Sequence, residues 1–409
     1  MRSTDSLRAQ IGTLILATSI VQLAGGFFGT FVSMRVAAEN FNAAGVVLGS
    51  YFAGATVGAL RSDRIIERIG YIRAYAAFAG LVAAATSIMP LWVGPLSWTI
   101  LRIIIGFGSA GVFVATESWL NAKAIPSERG RVFSIYMVAM FLTLAIGQLL
   151  ISRVDLTSSR PFNAITALFA VALILVSAAR AEPPRVSAAA SALRYGELAK
   201  AAPVAAVGCT INGVVTGAFY ALVPAWMQDR SVAQSTIALV MLMVVLGGFV
   251  FQVPVGRLSD RFDRRLVLSG LCIAFAGTAL IIVTLPRTLT SMLPAAALLG
   301  GFMSAFYPVS VAHAHDRMPA DRVVAVSARL ILLSGVGAVL GPVIGASLMA
   351  HFQIDGVFYF MAAAALVLAA AAGLDSAMTS SGKRLKPTFE ILAPQAGPLA
   401  HDPSETSEP

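Results

Sequence analysis

Twelve times along this chain, about twenty consecutive residues are almost wholly apolar, and short connections separate the runs. A helix needs about 20 such residues to cross the hydrocarbon core of a bilayer. The runs are 9–33, 44–61, 72–90, 96–121, 131–153, 161–180, 203–225, 236–256, 265–285, 291–314, 323–347 and 354–374. Charged residues make up 12% of the chain, where a soluble domain carries about 25%. A soluble protein with a large core is excluded, and an all-α integral membrane protein with twelve transmembrane helices is expected. The first run, Ile11 to Val32, is too long for the roughly 7–15-residue core of a signal peptide, and reads as the first span.

The formal charge of +9 invites a nucleic-acid partner, but the placement of the basic residues argues otherwise. With the N-terminus inside, 22 of the 29 lysines and arginines fall on inner segments, five on outer loops and two inside spans. That is the bias that orients membrane helices, with basic groups on the cytoplasmic side. The expectation is a multi-pass protein of the cell inner membrane with both termini cytoplasmic, surrounded by lipid and monomeric, with no nucleic-acid partner.

The two halves repeat each other. After the second span the chain reads G-A-L-R-S-D-R-I-I-E-R-I-G-Y-I-R from Gly58 to Arg73, and after the eighth G-R-L-S-D-R-F-D-R-R from Gly256 to Arg265. P-S-E-R follows the fourth span at Pro126, and P-A-D-R follows the tenth at Pro319. The division is residues 1–180 as one six-helix bundle, 181–202 as a Pro-, Ser- and Ala-rich cytoplasmic linker, 203–374 as the second bundle, and 375–409 as a disordered cytoplasmic tail. Parallel repeats of this kind are a mark of transporters, with the substrate site near the midplane between the halves.

Charges inside spans are rare and costly, and usually mark an ion or solute path. Away from the span ends there are three clear cases: Arg102, Glu117 and Arg329. Arg102 and Glu117 lie 15 residues apart, about 22 Å along one helix, and face roughly the same side. Glu117 is either a proton acceptor or a fixed partner of Arg64 or Arg68. Arg329 either meets Glu117 across the halves when the inner side is closed, or reaches back to the headgroups. The plainer alternative for all three is that they form buried pairs holding helices together. Asp260 is placed to accept hydrogen bonds from a neighbouring helix N-terminus, where the dipole favours an anion, with Arg261, Arg264 and Arg265 holding adjacent acidic groups. His313 and His315 point to opposite faces of a helix, which makes a poor metal site. Cys209 and Cys272 lie singly in apolar runs and suit neither a disulfide nor a metal. No G-x-x-x-x-G-K-[ST] loop is present, so a gradient must supply any driving force. No nucleophile, base and metal ligands converge, so an enzyme is not expected, nor is a cofactor.

These features resemble the major facilitator superfamily over all twelve spans. Gly256, Asp260, Arg261, Arg264 and Arg265 match its loop motif G-x-L-x-D-R-x-G-R-R, with Asp263 where the family has Gly; Asp63 and Arg64 fit the first-half copy. Arg102, Gly106 and Gly108 match R-x-x-x-G-x-G, which the resemblance ties to proton coupling. E-S-W-L-N from Glu117, with R-G-R-V-F-S-I-Y-M after it, is similar to the YcaD-like branch. The antiport pattern G-x-x-x-G-P-x-x-G is absent from the fifth span and stands in the eleventh, at Gly337, Gly341, Pro342 and Gly345. The resemblance implies two pseudo-symmetric six-helix bundles and a cavity on which Gln22, Asn212, Thr216, Tyr220, Phe306 and Tyr307 could meet a substrate. Arg102, Glu117, Arg329 and His313 would carry coupling or gating. Asp63, Arg64 and the second-half motif would form a conformational latch. The leading expectation is a secondary transporter moving a small solute by alternating access with protons. A proton-independent facilitator and a non-transporting sensor or scaffold are the alternatives.

Overall fold

The computed structural model describes residues 2–41, 43–124, 128–178, 198, 201–286, 288–318, 322–352 and 355–378. Among these residues there are twelve long helices and no strand. They are α1 (Arg2–Ala38), α2 (Ala44–Ile69), α3 (Tyr71–Ile88), α4 (Pro95–Lys123), α5 (Arg129–Leu149), α6 (Arg160–Ser177), α7 (Pro203–Asp229), α8 (Gln234–Arg261), α9 (Arg264–Thr284), α10 (Leu289–His315), α11 (Val323–His351) and α12 (Gly356–Met378). A single 3-10 turn, Leu150–Arg153, prolongs α5.

Eleven of these helices are long and apolar enough to cross a membrane. The exception is α2, whose Gly45, Gly49, Gly54 and Gly58 dilute its apolar content. Backbone groups in hydrocarbon must be satisfied within the chain, which is why long apolar runs become helices. Several helices outrun their apolar stretch, because Arg, Ser, Asp and Glu are compatible with helix once water is reached. Thus α2 continues eight residues beyond Arg61 to Ile69. It stops at Gly70, whose φ of 82° and ψ of 163° suit only glycine. Gly256, Asp260 and Arg261, expected in a loop, belong to the last turns of α8, and the connection to α9 is only Phe262 and Asp263. The expected linker, 181–202, lies almost wholly outside the described residues, as does the expected tail beyond Met378; Asp375 is a residue of α12.

The described helices fall into two compact units, α1 to α6 and α7 to α12. In the first, α2 packs on α4, α3 on α4 and α6, and α1 on α5 and α6. In the second, α8 packs on α10, α9 on α10 and α12, and α7 on α11 and α12. Each pair in one unit has its partner six helices later in the other, so the sequence repeat is a repeat of packing. Even the helix ends match. Arg35, near the end of α1, pairs with Glu39 and donates to the Leu156 carbonyl between α5 and α6. Arg230, at the end of α7, pairs with Asp355 between α11 and α12, and Trp226 Nε1 donates to the same carboxylate at 2.9 Å.

Backbones meet directly where these pairs cross. A Cβ on Gly106 of α4 would lie 2.0 Å from the Tyr51 carbonyl oxygen of α2. One on Gly300 of α10 would lie 2.0 Å from that of Val244 in α8. Small residues permit this approach where lipid gives no hydrophobic drive to bring helices together. Gly337 and Gly341 do the same for α11, against Thr210 and Val214 of α7. The glycine motif in α11 therefore serves packing inside the second unit. Its counterpart in α5 has Gln148 where α11 has Pro342. Gln148 ties α5 to α1, accepting from Thr30 Oγ1 at 2.7 Å and donating to the Gly26 carbonyl at 3.0 Å.

Candidate functional site

In the first unit, α4 carries both intramembrane charges. Arg102 stands two turns into the helix, 5% exposed. Its guanidinium carbon lies 4.8 Å from the Tyr51 ring centroid on α2 and 5.7 Å from that of Phe28 on α1. Nη2 reaches the Leu48 carbonyl only at 3.5 Å, and the buried Nε has no acceptor. A cation against ring faces gains from their quadrupoles. The Tyr51 ring reaches it because Gly106, one turn on, brings the α2 backbone close.

Glu117 stands two turns before the other end of α4, also 5% exposed. The Tyr136 hydroxyl of α5 is 3.5 Å from its Oε1, a long contact. Beside it, Thr116 and Thr18 of α1 share a hydrogen bond of 2.9 Å. Gln22, one turn after Thr18 and therefore on the same face of α1, is buried. Around Glu117 thus stand a phenol and, one residue back, a pair of hydroxyls, groups able to receive and pass a proton. Sequence reasoning named Gln22 and Glu117 but not Tyr136, Tyr51 or Phe28. Their only signal was an aromatic ring in an apolar span, which is also what a lipid-facing or core residue looks like.

In the second unit, Asn212 of α7 donates to Ser334 Oγ of α11 at 3.4 Å. Thr216 returns its hydroxyl to the Asn212 carbonyl at 2.7 Å. Tyr220 sits edge-on to Phe219, its neighbour in α7. Phe306 is wholly buried, edge-on to Phe275 of α9, and serves as a core side chain. The neighbouring Tyr307 hydroxyl is buried without a partner, as is His313 Nε2. His315 shares a contact of 3.2 Å with Ser327. Arg329 lies in the second turn of α11, partly buried.

The α8–α9 turn is a charge network. Asp263 caps α9, accepting from the Arg265 amide at 2.9 Å, and pairs with the Arg265 guanidinium at 2.8 Å. The cap is therefore made by the residue that departs from the family motif, while Asp260 lies 3.5 Å from Arg264. Arg264 Nε donates to Asp316 at the end of α10 at 2.8 Å. Arg265 Nη1 donates to Asp375 of α12, to its carbonyl and its carboxylate, both at 2.8 Å. Arg317 joins Asp375 at 3.4 Å. Arg261 points outward. Sequence reasoning missed Asp375; its trace was one acidic residue closing an apolar run. The Arg265 side chain holds the Asp263 carboxyl below the usual range. In the first unit Asp63 is partly buried and Arg64 exposed. Burial, with Glu67 one turn on, pushes the Asp63 carboxyl up to about 6.

No group of three or more His, Cys, Asp and Glu side chains among the described residues could hold a metal ion.

Comparison with known proteins places this arrangement. Residues 14–230 and 205–396 match the Major Facilitator Superfamily profile, once per half. The chain is 30% identical over 364 residues to the uncharacterized MFS-type transporter YcaD of Escherichia fergusonii, covering 87% of this chain and 92% of that protein. It is 31% identical, with the same coverage, to the YcaD of an Escherichia coli O45:K1 strain. Among solved structures, the nucleoside transporter NupG superposes with a TM-score of 0.71 at 13% identity, covering 89% of this chain and 98% of that one. A POT family peptide transporter gives 0.68 at 15%, covering 93% and 100%. At such identities the structures speak for the fold alone. The profile and the curated relatives go further, and by them the chain belongs to the Major Facilitator Superfamily, as a multi-pass membrane transporter and not an enzyme.

Proposed function

We propose that this transporter is a secondary carrier that moves a small solute by alternating access, coupled to protons, in the cell inner membrane with both termini cytoplasmic. The observation that carries the reading is the pair of buried charges on α4, Arg102 and Glu117, in a helix otherwise built of small and apolar side chains. The packing repeat sharpens it. The corresponding helix, α10, has no Lys, Arg, Asp or Glu from Leu289 to His315. The scaffold itself does not need charge there, and intramembrane charge kept without scaffold need points to function.

In this reading Glu117 takes the proton and Tyr136 positions it. Arg102 makes proton release depend on substrate occupancy. His313 is the reserve carrier and Arg329 a gating cation of the second unit. Gln22, Asn212, Thr216, Tyr220 and Tyr307 offer polar or aromatic contact to the solute. The α8–α9 network, with Asp63 and Arg64 as its first-unit counterpart, forms the latch. The chain would work without cofactor or metal, as a monomer.

The test is flux in proteoliposomes with and without a proton gradient. Glu117→Gln should abolish gradient-driven accumulation, a loss of at least tenfold, while exchange across the membrane continues. Uphill accumulation by the Glu117→Gln protein would make Glu117 structural and move coupling elsewhere.

A further inference from the structure

Arg102 is a buried cation without an anion. Among the described residues no carboxylate pairs with it, one of its N–H groups has no acceptor, and another has only a carbonyl at 3.5 Å. Burying a charge unpaired is costly, and structural pairs normally satisfy it. The helices do not require it. Gly106 meets Tyr51, and Gly300 meets Val244, through the same backbone contact. One turn before Gly106 stands Arg102; one turn before Gly300 stands Ala296. In the second unit that place is a small apolar cavity lined by Val244, Ala296, Leu299 and Phe219. The same crossing forms with the Ala296 methyl group there.

The geometry also limits what the cation can take. Tyr51 and Phe28 occupy ring positions around the guanidinium, which leaves its N–H edge. That edge is a planar fork, which matches a carboxylate with two parallel hydrogen bonds. One unopposed positive charge is neutralised by one negative charge, whereas a dianion leaves an excess in a buried site. The two rings offer an apolar, polarisable wall to whatever body carries the carboxylate. We propose that Arg102, Tyr51 and Phe28 form the carboxylate subsite of the carrier, and that its cargo is a small organic monocarboxylate. This rests on the transport reading above, and it names the class of solute.

The experiment needs no gradient, so it separates this proposal from proton coupling. Thermal unfolding of the full chain in detergent is followed against acetate, benzoate, succinate and inorganic phosphate, with acetamide and benzamide as uncharged partners. Acetate and benzoate should raise Tm with concentration, benzoate at lower concentration, and the amides should not. Arg102→Gln should shift the half-saturating benzoate concentration at least tenfold. Arg102→Lys, which keeps charge but loses the fork, should fall between. Tyr51→Leu should weaken benzoate more than acetate, which keeps the test decisive if both Arg102 variants fail to fold. Gly270→Ala, where an added methyl group meets nothing within 4 Å, should respond as the wild type does.

The proposal is overturned if no carboxylate raises Tm, if the amides act as well as the acids, or if Arg102→Gln answers benzoate like the wild type. Phosphate acting alone would make this an inorganic-anion site and overturn it too. A carboxylate response with proton-independent flux sinks only the coupling reading. Proton-driven flux of a neutral solute, with no carboxylate response, sinks only this one.

Discussion

Asp63 and Asp263 sit near the turn that follows the second helix of their units, and their surroundings push them in opposite directions. Asp263 caps a helix and holds Arg265, so its ionised form is favoured. Asp63 is partly buried beyond the apolar part of α2, with Glu67 one turn on and no cation paired with it among the described residues, and its carboxyl is pushed up to about 6. The sign follows from linkage. Between about 4 and about 6 the folded state keeps a proton that the unfolded state has lost, so stability falls as pH rises through that window. Asp63→Asn should remove that slope. Its Tm should match the wild type at pH 4 and exceed it by a few degrees at pH 7.5, as a pH series of thermal melts would register. If Asp63 also serves the latch, the same variant should slow flux without losing stability. A lower Tm at pH 7.5 would mean that the ionised carboxylate has a partner.

The same scale shows what could be read from the chain. Arg102, Glu117 and the arginines of the α8–α9 turn were legible, because charge inside or beside an apolar run is conspicuous. Tyr51 and Phe28 were not, because their value comes from two other helices crossing α4 at Arg102. Asp263 was seen only as a departure from a motif, and its role as cap emerges from the two-residue connection that places it before α9.

Among elements, the α2–α4 crossing is the most demanding. Gly106→Ala puts a methyl group 2.0 Å from a backbone oxygen that no rotamer change can move. Overpacking of this kind costs about 1–3 kcal/mol. Gly270, in α9, has nothing within 4 Å of such a methyl, and alanine there gains up to about 1 kcal/mol of helix propensity. Gly106→Ala should therefore lower Tm and folded yield while Gly270→Ala leaves both unchanged or higher, as size-exclusion recovery and thermal melts would compare. Equal behaviour would mean that α2 and α4 do not meet at this depth. The existence and order of the helices were plain from apolar length, but their ends were not. Hydropathy marks where the slab stops, whereas a helix stops where the backbone does, at Gly70 or before Asp263.

For the whole molecule, the basic-residue asymmetry commits the proposed orientation to a simple outcome. A fluorescent protein fused after Met378 should be bright and alkaline phosphatase at the same point inactive; the reverse would overturn either the orientation or the number of crossings. The packing repeat explains how one half can differ chemically from the other. Each bundle closes through backbone contacts and glycines, so Arg102 and Glu117 could be placed in one copy while the other kept Ala296 and Val311.

The network at the α8–α9 turn also bears on how the protein is made. Arg265 is nearly sealed from water, and one of the two carboxylates that hold it lies 110 residues further along the chain. Synthesis runs from the N-terminus, so this arginine leaves the ribosome long before Asp375 exists. α12 packs on α9 and brings Asp375 with it, so the arginine's burial and its second carboxylate arrive together. A product cut just before Asp375 would bury the cation with one of its two carboxylates missing. The carboxylate at the end of α12 thus closes the second bundle, and a chain ending before it should melt below the full one.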